Sequence, residues 1–141
     1  MRSAFASTSR ERKWWCRTER RNANLESMKT ELEDRTPDFA LRVIAPVDRF
    51  STTATGTVAG RQWMKAGTSI GTNDREAGCA VSKEDFIPRI AIAEKEAAEI
   101  EYWLMICQRV GLDATGIESL LDESRQLLAI LPAVGRNTKR R

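Results

Sequence analysis

The chain has 141 residues, 30% of them charged and 41% apolar, the make-up of a single soluble globular domain. Those values exclude a chain disordered or membrane-embedded throughout, and the length allows a core that needs no disulfide or metal. The formal charge of +3 is unevenly spread: residues 1–24 carry seven Lys/Arg and two Asp/Glu, residues 136–141 carry four and none, and residues 25–135 keep 12 basic and 18 acidic side chains.

Cys16, Cys79 and Cys107 are widely spaced, and histidine is absent. This pattern argues against a structural zinc site and a disulfide framework, and points to a reducing, cytoplasmic location. No apolar leader opens the sequence, and its longest nearly apolar stretches, 102–107 and 127–134, are too short to span a bilayer.

Residues 1–30, rich in Arg, Ser and Thr, are expected to form a disordered basic extension. Met28 precedes a run suited to open a helix, which makes it a candidate native start. A first helix is expected over 37–50, with Thr36 as N-cap, Pro37 at the first position and, at Pro46, a kink or a helix that resumes after it. Its stripe is Ala40, Val43, Val47 and Phe50, widened by Phe39 and Ile44. A second helix is expected over 57–79. Its seam of Ala59, Trp63, Ala66, Ile70, Asn73, Ala77 and Ala80 is spaced 4, 3, 4, 3, 4, 3. Gly67 and Gly71 beside that seam predict close helix packing.

Ser82 to Asp85 reads as a capping-box variant opening a third helix, although Pro88 could move the start to Ile87. Its seam is Phe86, Ile90, Ala93, Ala97, Ile100, Leu104 and Cys107, and Gly111 is its expected C-cap. Asp113 or Thr115 opens a fourth helix, with Ile117, Leu121, Ser124, Leu128 and Leu131 as seam and Leu120 and Leu127 beside it. Pro132 and Gly135 are expected to end it, leaving 136–141 as a basic tail after a domain of 31–135. No period-two stretch appears, so the fold class is all-α: an antiparallel up-down four-helix bundle.

Residues 60–77 (GRQWMKAGTSIGTNDREA), 85–87 (DFI), 95–97 (KEA) and 101–104 (EYWL) resemble signatures of the four helix bundle proteins found as reading frames in intervening sequences of 23S rRNA genes. Residues 31–36 (ELEDRT) and 39–44 (FALRVI) resemble the usual opening of that family. The resemblance covers about residues 28–133. It implies a left-handed bundle and a ring-shaped homo-oligomer, a pentamer. It extends distantly to the accessory variability determinant proteins of diversity-generating retroelements, whose basic pentameric barrel binds nucleic acid and a reverse transcriptase. The acidic middle of this sequence, Pro46, Pro88 and residues 1–27 depart from those patterns.

The candidate nucleic-acid contacts are Arg10, Arg12, Lys13, Trp14, Trp15 and Arg17, with Arg61, Lys65, Arg75 and Arg140. Cations interleaved with aromatics suit phosphate attraction and base stacking, although the same tail can be merely solubilising. Trp103, Ile106 and Val110 lie beside the third seam. They either wedge between helices of one bundle or form a subunit interface. A polar network is expected of Asn73, Arg75, Glu76, Glu96 and Glu99, with Asn73 on the seam as a register device. A di-metal carboxylate site would use Glu-x-x-His pairs, and none exists. No base accompanies the cysteines, and neither a phosphate loop nor a nucleophile elbow appears. The reading is therefore non-enzymatic, with no catalytic residue, cofactor or metal: an oligomeric bundle binding structured RNA or a nucleoprotein partner. The alternative is a protein-interaction scaffold without a nucleic-acid role.

Overall fold

Leu25, Lys29, Leu32, Thr36, Phe39 and Val43 are all buried, at spacings of 4, 3, 4, 3 and 4. This is a bundle seam with two polar members, and it lies on one helix, α1 (Ala23–Ile44). The computed structural model, which describes residues 23–50, 52–111 and 116–140, continues with α2 (Ala54–Gly78), α3 (Lys83–Val110) and α4 (Ile117–Lys139). Among the described residues there is no strand. Each helix packs on the next, and α4 returns to α1, closing an all-α four-helix bundle. The α1–α4 seam is the least extensive of the four.

The first helix corrects the sequence reading at both ends. It begins at Ala23, so residues 23–30 belong to the bundle rather than to a disordered extension, and Leu25 sits in the core ahead of Met28. Pro37 lies inside α1 on its exposed side, where a missing N–H disturbs the core least. Pro46 does not kink the helix. The helix stops at Ile44, and the 3-10 turn Val47–Arg49 follows. There the Trp63 indole N–H donates to the Val43 carbonyl at 2.7 Å, satisfying one acceptor exposed by the helix end. Phe50 meets the Trp63 ring edge-on at 5.2 Å.

The second helix starts at Ala54 rather than at 57, capped by Thr53, whose hydroxyl accepts from the Gly56 N–H at 3.2 Å. The buried face of α2 runs Ala59, Trp63, Ala66, Ile70, Asp74, Ala77, at spacings of 4, 3, 4, 4 and 3. Six of the seven expected seam residues, Ala59, Trp63, Ala66, Ile70, Ala77 and Ala80, are buried, and between Ile70 and Ala77 it is Asp74 rather than Asn73 that faces inward. A Cβ on Gly67 would lie 2.5 Å from Val43 Cγ1, and one on Gly71 3.3 Å from Thr36 Cβ. These glycines therefore set the close α1–α2 approach.

In α3 all seven expected seam residues are buried. Ser82 accepts from the Asp85 N–H at 3.2 Å and Asp85 accepts from the Val81 N–H at 3.3 Å, so the helix starts at Lys83 and runs through Pro88. Gly111 closes it in the left-handed region, at φ 75°. The alternative α4 caps, Asp113 and Thr115, lie outside the described residues. Pro132 and Gly135 do not end α4. It continues to Lys139 and buries Val134 and Thr138, so much of the expected basic tail is helical.

Candidate functional site

The outward side of α3 is unusually apolar for a helix whose seam is already satisfied by the core. Tyr102 and Val110 are 60% and 67% exposed, while Trp103 and Ile106 are half-buried. Trp103, Ile106, Cys107 and Val110 face Ala54, Thr55, Val58 and Ala59 of α2 across an open groove of about 400 Å³. Small residues on α2 leave the space and large ones on α3 line it. Tyr102 packs edge-on to Trp103 at 6.2 Å. Cys107 belongs to both groove and core, and burial pushes its thiol pKa up, keeping it protonated and unreactive. The three expected interface residues are thus brought together. The groove offers non-directional apolar contact.

The five residues of the expected polar network do not converge. Asn73 is half-buried, and its amide donates to the Ser69 carbonyl of its own helix at 2.8 Å. Arg75 is exposed, whereas Glu76 pairs with Arg89 at 2.6 Å. Glu96 and Glu99 instead flank Lys65, at 3.9 and 3.7 Å. Asp74 takes the inward position expected of Asn73.

Asp74 holds the buried ion pair that the sequence reading missed. Lys29 Nζ lies 2.7 Å from Asp74 Oδ1, with side-chain exposures of 0% and 2%, and 4.9 Å from the Phe86 ring centroid. The signal was present in α1, where Lys29 stands four residues after Leu25 and three before Leu32. A second missed cluster crosses the α1–α4 seam. Arg35 clasps Glu123 with two bonds of 2.8 and 2.9 Å and also donates to Glu31 and Gln126. Led by the Glu123 bond, these carboxylates hold the guanidinium above its usual range.

Of the expected nucleic-acid contacts, Arg10, Arg12, Lys13, Trp14, Trp15 and Arg17 lie outside the described residues. Arg61, Lys65, Arg75 and Arg140 are all exposed. Among the described residues no group of three or more His, Cys, Asp or Glu is placed to hold a metal ion, and no helix is long and apolar enough to cross a membrane.

No curated protein matches the chain. A crystal structure of a protein of unknown function from the S23 ribosomal protein family of Bacteroides thetaiotaomicron superposes with a TM-score of 0.70 at 32% identity, covering 77% of this chain and 98% of that one. The model of the family described as 23S rRNA-intervening sequence protein matches residues 29–133, from the buried lysine of α1 into the last turns of α4. By that match, and by the four-helix architecture that carries it, the chain belongs to the 23S rRNA-intervening sequence protein family.

Proposed function

We propose that the protein is a non-enzymatic, cytoplasmic homo-oligomer, a pentameric ring, that binds structured RNA or a nucleoprotein partner. The observation that carries the assembly is the apolar outer side of α3. Burying one helix stripe needs about three apolar positions in seven, and 102–107 has none that is charged. A second copy covering Trp103, Ile106 and Val110 removes that surface from water. The nucleic-acid part is supported by the family's tie to 23S rRNA genes, by the cations at both ends of the sequence, and by Trp14 and Trp15 among them. The distant resemblance to retroelement accessory proteins favours the same ligand class.

The protein-scaffold alternative draws on the acidic excess of the bundle, 12 basic against 18 acidic side chains over 25–135. Fluorescence anisotropy of a labelled RNA hairpin against the full chain, over a salt series, separates the two. The RNA reading expects affinity that falls steeply with salt. Absence of binding at low salt leaves the scaffold reading in its place.

A further inference from the structure

The outward side of α3 carries Lys95, Tyr102 and Arg109, seven residues apart and all exposed. Seven residues make about two helical turns, so the three stand in one line. On α1 and the turn after it, Asp34, Leu41 and Asp48 are likewise exposed and seven apart. Each line has an apolar side chain at its centre, Tyr102 at 60% exposure and Leu41 at 68%. Beside Tyr102 lie Trp103, Ile106 and Val110 of the groove, and Ile44 is exposed one turn after Leu41. Cations flank the first line and carboxylates flank the second.

The two lines share a level. α1 and α3 run the same way, because each packs antiparallel on α2 and on α4. Through α2, Val43 lies against Gly67 and Lys65 reaches Glu99; through α4, Arg42 reaches Ser119 and Arg125 reaches Glu101. Both routes bring Leu41 and Tyr102 to the same stretch of the bundle axis, toward the ends of their helices. α1 and α3 are diagonal in the bundle, so the lines look out in different directions.

Building on the assembly reading above, we propose that the α3 face and groove of one copy are covered by the Leu41 line of the next copy, head to tail. Rotation about an axis along the bundle leaves every height unchanged, so in a ring α1 of one copy lies parallel to α3 of its neighbour. Lys95 then meets Asp34, Tyr102 and the groove meet Leu41, and Arg109 meets Asp48. Two-fold pairing of α3 with α3 sets Lys95 and Arg109 against each other or against themselves, and α1 with α1 opposes aspartates, so like charges disfavour both. Glu99 and Arg42 stand beside the two lines but attend Lys65 and Ser119. Arg49 is exposed next to Asp48, which leaves Lys95 with Asp34 as the stronger ionic contact.

The test is light scattering on the full chain, with circular dichroism confirming equal helicity. Leu41→Arg and Tyr102→Arg each spoil one face, and each alone is expected to fall to the mass of one chain. Mixed in equal amounts they retain one intact pairing, the α3 face of the first with α1 of the second. The mixture is therefore expected to rise to the mass of two chains and stop. Val81→Arg, before α3 and 86% exposed, is expected to keep the parent mass. Asp34→Lys or Lys95→Glu alone should weaken assembly by roughly two- to fivefold, and Asp34→Lys/Lys95→Glu together should recover most of that loss. Parent mass in Leu41→Arg or Tyr102→Arg, a mixture that stays at one chain, or a charge-exchanged chain worse than either single change overturns the pairing alone. A parent chain with the mass of one chain overturns the assembly reading and the pairing together.

Discussion

Lys29 and Asp74 exchange solvent for one another, and the two residues lie 45 apart in sequence. Such a pair is weak evidence of net stability, because two desolvations offset the attraction, yet removing one partner strands the other. Lys29→Met is expected to cost about 3–5 kcal/mol in urea unfolding. Lys29→Met/Asp74→Leu should cost less than the two single changes added. Additive costs in that double-mutant cycle would contradict direct coupling. Cys107 provides a pH test. Its folded pKa is raised by burial, so its contribution is complete below the ordinary thiol range and is lost as pH rises through the raised value. Melting curves from neutral to alkaline pH should show a steeper decline for the parent than for Cys107→Val. Parallel declines would count against this assignment. Cys79 is exposed, so in the native protein it should react with a maleimide well before Cys107 does.

At the scale of the element, α1 and α3 make an instructive contrast. The α3 seam has an apolar residue at all seven positions, and a continuous period reads directly from sequence. The α1 seam has the same period, but Lys29 and Thr36 occupy two of its six places and Pro37 imitates a helix start. Propensity and start signals are local, whereas Lys29 is tolerated only because Asp74 comes to meet it. The α1–α2 crossing gives the matching prediction. Gly67→Ala gains up to about 1 kcal/mol of helix propensity, but its Cβ meets all of the Val43 side chain beyond Cα at 2.5–2.9 Å. Overpacking of this kind costs about 1–3 kcal/mol, so chemical denaturation should show net destabilisation. Combining it with Val43→Ala should recover part of that loss.

At the scale of the whole molecule, the groove lies between the start of α2 and the end of α3, on the side of the bundle away from the start of α1. Val110→Glu places a charge on the apolar face 67% exposed in the single chain. It is expected to lower the mass found by light scattering toward that of one chain, with helicity unchanged. An unaltered mass would place the subunit contact elsewhere.

The sequence by itself determined the helical class, the seam of α3, the Ser82 and Gly111 caps, and the family, because periodicity and capping depend on residues within a turn or two of each other. It also placed Trp103, Ile106 and Val110 beside the seam. Only the tertiary structure decided where α1 begins, which residue of α2 faces inward after Ile70, and that Glu96 and Glu99 attend Lys65 rather than Arg75. Those outcomes depend on how one helix rotates and drifts against another.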